Sequence, residues 1–207
     1  GSEMCIRDRI TREAFPLLCA AFFGHPEKEL TLIGVTGTNG KTTITTVIKK
    51  VLSSFGCKVG LIGTCQNEIG DDVYSTARTT PEPYDLYELF RKMADEKCDY
   101  VVMEASSQGL EQKRLSGCHY KVGVFTNLTQ DHLDVHGTME NYYQAKKILF
   151  TISDNAIINI DDEYGRRYLK EISCPAKTYS CCTKADFRAE DLSLIHISEP
   201  TRPEPIS

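Results

Sequence analysis

A short loop rich in glycine, threonine and lysine follows an apolar run, and its residue types suit phosphate binding. Residues 36–43 read TGTNGKTT and come directly after residues 30–35, LTLIGV. The two glycines allow a tight turn that directs backbone N–H groups at phosphate oxygens, Lys41 adds a positive charge, and the Thr42 hydroxyl can bind Mg²⁺. The loop therefore predicts binding of a nucleoside triphosphate.

The spacing of this loop departs from the common phosphate-binding pattern G-x-x-x-x-G-K-[ST]. The residue five positions before Gly40 is Val35, and the nearer glycine is Gly37. A tight strand-to-helix turn with a solvated lysine is the alternative interpretation. The strand and helix patterns on either side, together with the Lys-Thr-Thr sequence, favour the phosphate loop.

Two more polar clusters follow apolar runs, where the strands of a sheet would end. Glu104 comes directly after Tyr100–Met103, so its carboxylate should point toward the phosphate loop and can hold Mg²⁺. The alternative is a carboxylate that caps a neighbouring helix. Ser106–Arg114 opens the next helical pattern, whose N–H groups and hydroxyls suit an anionic substrate, and Arg114 can bind a carboxylate or phosphate. Solvated charges at a polar helix start are the alternative for this segment.

The segment Asn127–Gly137 contains two histidines and two aspartates in one predicted loop. Such a density of metal-binding and proton-transferring side chains beside an apolar strand is typical of a binding site. The spacing is not that of a zinc site, so Mg²⁺ is favoured. Lys146 lies one helix further along the chain, and residue type alone predicts a surface lysine there.

Short β-rich runs alternate with helical patterns, which predicts an α/β fold: a P-loop-type, mainly parallel sheet in three layers, with helices on both faces. Ligands of such sheets bind beyond the carboxyl ends of the strands, where the polar clusters begin. The polar segment Asn67–Pro83 predicts a hairpin or loop. The predicted strands are Thr31–Val35, Lys58–Ile62, Tyr100–Glu104, Val122–Phe125, Ala156–Ile160 and Ala176–Tyr179. The predicted helices are Thr42–Phe55, Asp85–Lys97 and Met139–Phe150, the last with Thr138 as N-cap. The predicted buried face of the first helix consists of Ile44, Val47, Ile48, Val51, Leu52 and Phe55. In the second helix, the residues on one apolar face are Leu86, Leu89, Phe90 and Met93.

Composition places the chain among soluble globular proteins. The 207 residues are 41% hydrophobic and 26% charged. A net charge of −5 argues against nucleic acid as a partner, and no apolar run reaches membrane-spanning length. Nine cysteines without a C-x-x-C pair favour reduced thiols over disulfides or zinc. The sequence therefore predicts a cytoplasmic protein without membrane insertion, and leaves its oligomeric state open.

Taken together, the polar segments closely resemble the Mur ligases of peptidoglycan synthesis, and the MurE branch of that family is nearest. The resemblance extends over about residues 11–192. The segments that carry it, in order and spacing, are Thr36–Thr43, Thr79–Glu82, Glu104–Leu110, Asn127–Glu140, Ala145–Lys146, Asn159–Gly165 and Ala185–Asp191.

The resemblance implies a role for individual residues. The residues implied to hold the ATP phosphates and one Mg²⁺ are Gly37, Thr38, Asn39, Gly40, Lys41, Thr42 and Thr43. Glu104, His132 and Lys146 are implied ligands of a second Mg²⁺, with Lys146 converted to a carbamate, which reverses its interpretation as a surface lysine. The residues implied to be catalytic are Lys41, Glu104, His132 and Lys146. The residues implied to bind UDP-MurNAc-dipeptide are Thr79, Thr80, Ser106, Gln112 and Arg114, whereas Arg78 stands where an apolar or amide residue is expected. Asp131, Asp134 and His136 are candidates for orienting groups.

The implied reaction is an ATP-dependent amide ligation. The D-glutamyl carboxylate of UDP-MurNAc-L-Ala-D-Glu attacks the γ-phosphate of ATP, and the amine of a diamino acid then attacks the acyl phosphate. Diaminopimelate is favoured as the diamino acid, with L-lysine as the alternative. Another ligase of the same superfamily, such as a folylpolyglutamate synthase, and a nucleotide-binding module without ligase activity are the competing functions.

The resemblance also suggests a division of the chain. Residues 31–192 correspond to a truncated central ATP-binding domain, and residues 10–30 to a remnant of an N-terminal domain or linker. Residues 1–9 and 193–207 resemble translated adapter DNA and are expected to be non-native. Because the family brings several domains together for catalysis, we expect the segment alone to be inactive as a ligase.

Overall fold

The computed structural model describes residues 2–131 and 133–189, which form a mainly parallel sheet with helices on both faces. The predicted fold class is therefore confirmed. The strands of the described part are β1 Thr31–Thr36, β2 Val59–Ile62, β3 Asn67–Ile69, β4 Asp72–Tyr74, β5 Tyr100–Glu104, β6 Tyr120–Phe125, β7 Ser153–Asn159, β8 Ala176–Ser180 and β9 Phe187–Arg188. The helices are α1 Ser2–Phe22, α2 Lys41–Ser54, α3 Pro83–Asp95, α4 Ser107–Glu111, α5 Leu133–His136, α6 Met139–Thr151 and α7 Glu163–Glu171, with a 3-10 helix at Pro26–Lys28.

The strand order brings the ends of three strands to one place. The order is β4-β3-β2-β5-β1-β6-β7-β8-β9, and β3 alone runs opposite to the other described strands. The central strand β1 pairs in parallel with β5, where Val35 faces Glu104, and with β6, where Thr36 faces Phe125. After β1 the chain forms β2 to β5 on one side of it, and then forms β6 to β9 on the other side. β1 therefore lies at a topological switch point, where such sheets bind ligands.

Two layers of helices cover the sheet unequally. On one face α1, α3, α6 and α7 bury a large core, which includes Phe90, Met93, Leu149 and Tyr168. The fully buried Phe90 side chain alone contributes about 1.5–3 kcal/mol of hydrophobic stabilisation. On the other face, α2 packs Ile44, Ile48 and Leu52 against the sheet.

The predicted buried face of α2 is correct for only half of its residues. Val47, Val51 and Phe55 are exposed, with 80% of the Phe55 surface accessible. A helix contacts a flat sheet along a narrow line, and α2 has no described helix beside it to cover the flank of its apolar arc. Only the stripe at i, i+4 and i+8 therefore packs against the sheet, and its side chains are partly buried.

Most other local predictions agree with the structure. The predicted apolar face of α3 is buried, and Thr138 caps α6 by accepting a hydrogen bond from the Asn141 N–H at 3.1 Å. The segment predicted as a hairpin or loop contains the β3–β4 hairpin. The sequence predicted neither the helices α1 and α7 nor the strand β9, and the loop predicted at Asn127–Gly137 contains the short helix α5.

α1 is a 21-residue helix with Pro16 inside it. The helix continues without a break across the boundary predicted between residues 9 and 10. The division of the chain into native and non-native segments stays a prediction. Within residues 2–131 and 133–189, no helix is both long and apolar enough to cross a bilayer.

Candidate functional site

The predicted phosphate loop connects β1 to α2 and has the tight turn that its glycines predict. Gly37 is buried with a φ of 152°, and Gly40 precedes the first residue of α2 with a φ of 81°. The loop therefore presents backbone N–H groups at a helix N-terminus, where the helix dipole favours an anion. Asn39 and Gly40 are exposed at its tip, and Thr43 is exposed on the first turn of α2.

The segment after β6 holds the phosphate loop in place through a set of hydrogen bonds. The Asn127 carbonyl accepts from the Thr38 N–H at 2.8 Å, and the Asn127 side-chain oxygen accepts from the Asn39 N–H at 2.9 Å. Thr126 Oγ1 donates to the Asn39 carbonyl at 2.7 Å, and the Thr129 N–H donates to Thr38 Oγ1 at 3.0 Å. The sequence placed Asn127 in a candidate binding loop but did not indicate that Thr126 and Thr129 support the phosphate loop.

Two lysines converge on one backbone oxygen of the phosphate loop. The Gly37 carbonyl accepts from Lys41 Nζ at 2.9 Å and from Lys146 Nζ at 2.7 Å, and Lys41 also donates to the Thr38 carbonyl at 2.8 Å. Lys146 is only 1% exposed, so its interpretation from residue type as a surface lysine is wrong. The reason is that α6 packs its lysine-bearing face against the end of β1, a contact that local pattern does not reveal.

Burial changes the acid–base properties of both lysines. Burial lowers the pKa of Lys41, and the negative charges of Glu104 and Asp131 oppose this shift. Burial, as the largest cause, and the positive charge of Lys41 hold the pKa of Lys146 well below its usual range. The negative charge of Asp131 opposes this shift too. Lys146 is thus the amine of the pair that more readily loses its proton.

Glu104, at the end of β5, points toward the phosphate loop as predicted. Its Oε1 accepts from Thr42 Oγ1 at 2.9 Å and from the Thr64 N–H at 2.9 Å, and its Oε2 accepts from Thr64 Oγ1 at 2.9 Å. A carboxylate and a threonine hydroxyl this close are the hard oxygen donors that Mg²⁺ prefers, and the pair fits the ion. No motif in the sequence pointed to Thr64.

The predicted metal-binding loop is described only in part. His132 and the side chain of Asp134 lie outside the described residues, so their roles as metal ligand and orienting group stay predictions. Asp131 lies close enough to act electrostatically on Lys41 and Lys146. Within the part of the chain that the structure describes, no three His, Cys, Asp or Glu side chains form a metal-binding group.

His136, at the other end of this loop, has different surroundings. It is buried and turned toward α4, where its Nε2 lies 2.9 Å from Ser107 Oγ and its Nδ1 lies 3.2 Å from Glu111 Oε2. The structure therefore places this candidate orienting group against a neighbouring helix.

A second polar pocket adjoins Glu104 and contains most of the residues predicted to bind the substrate. Thr80 Oγ1 donates to the Glu104 carbonyl at 2.9 Å and accepts from the Ser106 N–H at 3.0 Å. Thr79 Oγ1 lies 3.0 Å from Thr64 Oγ1, which joins this pocket to the Glu104 site. The residues that line it are Arg78, Thr79, Thr80, Ser106, Ser107, Gln108 and Arg114.

Arg114 is buried beside this pocket and already bonded to the protein. Its guanidinium donates to the Thr80 carbonyl at 2.9 Å and to Gln112 Oε1 at 2.6 Å, and it pairs with Glu82 at 3.1 Å. Gln112 does not line this pocket but lines another one together with Arg114 and Glu82. Arg78 is exposed and pairs with Glu82 at 3.3 Å. An anion in the pocket would approach Arg78 and Arg114, whose positive charges the Glu82 carboxylate partly neutralises.

The geometry suits transfer of a phosphoryl group to a carboxylate. The phosphate loop and Lys41 can bind a polyphosphate, and Thr42 with Glu104 can hold Mg²⁺ beside it. The second pocket, one hydrogen bond away from Glu104, can place an anionic acceptor. Cationic groups on both sides would reduce the repulsion between two anions that must approach each other.

The sequence matches the family described as "Mur ligase middle domain" over residues 35–199. The chain is 51% identical over 183 residues to "UDP-N-acetylmuramoyl-L-alanyl-D-glutamate--2,6-diaminopimelate ligase 1" of Clostridium acetobutylicum, a match that covers 88% of this chain and 38% of that protein. It is 46% identical over 193 residues to the "UDP-N-acetylmuramoyl-L-alanyl-D-glutamate--2,6-diaminopimelate ligase" of Geobacillus kaustophilus, over 89% of this chain and 40% of that protein. The chain thus spans about two fifths of the length of these relatives.

Solved structures give the same picture of the fold. A structure of a UDP-N-acetylmuramoyl-L-alanyl-D-glutamate--2,6-diaminopimelate ligase superposes with a TM-score of 0.70 at 36% identity, over 77% of this chain and 34% of that one. A Mycobacterium tuberculosis folylpolyglutamate synthase complexed with ADP and AMPPCP superposes with a TM-score of 0.67 at 17% identity, over 84% of this chain and 48% of that one. The second likeness concerns the fold alone.

Proposed function

The chain belongs to the Mur ligase family, and from this premise we propose that it is the nucleotide-binding part of an ATP-dependent amide ligase. The reaction proposed for the whole protein is addition of meso-diaminopimelate to UDP-MurNAc-L-Ala-D-Glu, in line with the names of the relatives. The observation that carries the proposal is the convergence of the phosphate loop, Lys41 and the Thr42–Glu104 pair at the ends of β1 and β5.

In this proposal the phosphate loop binds the ATP phosphates. On binding, Lys41 exchanges its two loop carbonyl partners for phosphate oxygens, where its charge stabilises the negative charge that develops during phosphoryl transfer. Thr42 and Glu104 would hold Mg²⁺, which would supply further charge neutralisation at the phosphates. Asn127 and Thr126 fix the tip of the loop, so little reorganisation is needed when ATP arrives.

The second pocket binds the acceptor in this scheme. Ser106 and the two arginines provide donors for its anionic groups and direct its carboxylate toward the γ-phosphate, while Thr80, whose hydroxyl already donates to the Glu104 carbonyl, accepts from the Ser106 N–H and holds it in place. The carboxylate oxygen forms a bond to the phosphorus while the bond to ADP breaks, which gives an acyl phosphate. The amine of diaminopimelate then attacks the acyl carbon, forms the amide and releases phosphate.

Calorimetric titration of the chain with ATP and Mg²⁺ tests the first half of this proposal. We expect saturable binding of one nucleotide per chain. Titration with UDP-MurNAc-L-Ala-D-Glu in the presence of AMPPCP tests the second half, and we expect a second binding event. A chain that binds the nucleotide but not the acceptor would favour the alternative of a nucleotide-binding module.

Replacing Glu104 by Gln is expected to remove the benefit that Mg²⁺ gives to nucleotide binding. The amide keeps the shape of the carboxylate but loses its charge, so the ion keeps only the Thr42 hydroxyl and the phosphates. Nucleotide affinity in Mg²⁺ should fall by about 10-fold, the value of one charge-assisted contact, and affinity in EDTA should stay unchanged.

The control for this variant is Glu96→Gln. Glu96 is exposed and pairs with Lys58, at the opposite end of the sheet from the phosphate loop. Equal loss of affinity in Mg²⁺ and in EDTA for Glu104→Gln would show that Glu104 supports the fold of the site and does not hold the ion.

Lys146 is expected to react with carbon dioxide and form a carbamate. It is buried, its lowered pKa makes the neutral amine accessible, and its Nζ shares the Gly37 carbonyl with Lys41. The neutral Nζ attacks carbon dioxide and releases one proton, and the negative carbamate is attracted by Lys41, whose charge disfavours the ammonium form of Lys146. Chain equilibrated with ¹³C-bicarbonate should show a carbamate carbon signal in NMR.

The variants Lys146→Arg and Lys147→Arg separate this lysine from its neighbour. Arginine stays charged and does not form a carbamate. We expect the signal to vanish in Lys146→Arg and to persist in Lys147→Arg, because Lys147 is bonded to Glu171 on the outside of α6. A signal that survives in Lys146→Arg would rule out this assignment.

A further inference from the structure

Four buried polar side chains form a continuous column between the phosphate loop and α4. They are Lys146, Tyr142, His136 and Ser107, and none of them is more than 4% exposed. Two members of the column, Tyr142 and His136, belong neither to the phosphate loop, nor to the proposed Mg²⁺ ligands, nor to the lining of the second pocket. Buried polar groups are costly unless each finds a partner, so such a column constrains the elements that contribute to it.

Each member of the column contacts the next. Lys146 Nζ lies 4.5 Å from the centre of the Tyr142 ring, and this ring stacks on the His136 ring at 4.9 Å with an interplanar angle of 28°. His136 Nε2 in turn lies 2.9 Å from Ser107 Oγ. The column therefore joins α6, the end of α5 and the first residue of α4.

The two ends of the column lie at the two proposed ligand sites. At one end, Lys146 Nζ donates to the Gly37 carbonyl, and the Tyr142 hydroxyl lies 3.3 Å from Thr38 Oγ1. At the other end, Ser107 lines the second pocket. Because protein interiors are close-packed, a displacement of the phosphate loop at Thr38 would press on the Tyr142 ring, and through the stacked His136 ring on Ser107.

We propose that Tyr142 and His136 are positioning residues that couple the phosphate loop to α4 and to the pocket beside it. The identity of the two ligands, a nucleotide and an anionic acceptor, rests on the proposed function; the coupling itself rests on the contacts of the column. Coupling between two binding sites is reciprocal, so a ligand at either end changes the affinity of the other.

Hydrogen exchange of the ligand-free chain tests the column without any ligand. His136→Phe keeps the ring but removes the contacts with Ser107 and Glu111, and it should speed exchange in residues 37–43 at the far end. Tyr142→Phe removes the contact with Thr38 and should speed exchange in residues 107–111. Each variant should raise the exchange rate at the far end by at least about twofold, which is the lower end of the effects that mutations have on coupling between sites.

Tyr143→Phe is the matched control for these variants. Tyr143 is equally buried on α6, but its ring stacks on Tyr168 of α7 at 4.4 Å and lies outside the column. We expect no change at either end in this variant. If His136→Phe and Tyr142→Phe alter exchange only in the element that each contacts directly, the coupling is overturned.

Addition of ATP and Mg²⁺ extends the same measurement. We expect exchange in residues 107–111 of the unmodified chain to slow by at least about fivefold, an effect that Tyr142→Phe loses and Tyr143→Phe retains. Nucleotide binding by calorimetry without slower exchange at α4 overturns the coupling and leaves the proposed function intact. Absence of nucleotide binding counts against the proposed function, and the ligand-free exchange then decides the coupling by itself.

Discussion

Lys41→Ala is expected to weaken nucleotide binding by roughly 10- to 150-fold. A hydrogen bond to a charged group is worth about 1.5–3 kcal/mol, and each 1.4 kcal/mol changes affinity tenfold. Lys41 is half-buried at the first position of α2, so its ammonium would meet bound phosphates with little screening by water. Calorimetric titration with ATP and Mg²⁺ measures the loss.

The neighbouring Lys50→Ala is the control. Lys50 is exposed on the same helix, more than two turns from the phosphate loop, and its removal lowers the net charge of the chain by the same amount. Its affinity for ATP should change by less than about twofold, since exposed charges at that distance are screened. Unchanged affinity in Lys41→Ala would refute the assignment of the loop as a nucleotide site.

Local chemistry was sufficient to predict the elements that carry the site. β5 matches its predicted bounds, and the loop after β1 turns as its glycines require. The apolar period of α3 correctly selects its buried face, because that face packs against both the sheet and α1. Where neighbouring elements cover the whole apolar face of a helix, its sequence pattern and its burial agree.

The contacts between distant elements were not predictable from local pattern. Lys146 is chemically an ordinary lysine, and its burial depends on how α6 packs against the end of β1. Thr64 has no motif around it, yet its hydroxyl and N–H hold both oxygens of Glu104 because β2 pairs with β5. Family resemblance suggested a role for Lys146 that stays a prediction, and neither local pattern nor resemblance pointed to Thr64.

His136 illustrates how composition alone can misplace a side chain. Two histidines and two aspartates in one loop favoured a common binding site for all of them. The structure places His136 at the end of the short helix α5, with its ring against Tyr142 and its nitrogens toward α4. Spacing within a loop does not determine direction until the loop's own turns are known.

Gly37→Ala is expected to destabilise the chain by roughly 2–5 kcal/mol and to abolish nucleotide binding. A methyl group at this position would lie 1.9 Å from Thr126 Oγ1 and 3.1 Å from the Asn127 backbone nitrogen. Overpacking costs about 1–3 kcal/mol, and a positive φ costs a non-glycine residue about 1–2 kcal/mol more. Urea denaturation gives the stability, and titration with ATP gives the binding.

Two further variants separate the steric clash from backbone strain. Gly24 has a φ of 75° but open space where a methyl group would lie, so Gly24→Ala should lose only roughly 1–2 kcal/mol. Thr126→Ala removes the atom that the new methyl group would strike, although it also removes the hydrogen bond to the Asn39 carbonyl. If the clash dominates, Gly37→Ala combined with Thr126→Ala should be more stable than the sum of the single variants by about 1–3 kcal/mol. Strict additivity would instead place the whole cost in the backbone, and would mean that contact with the segment after β6 does not determine the shape of the phosphate loop.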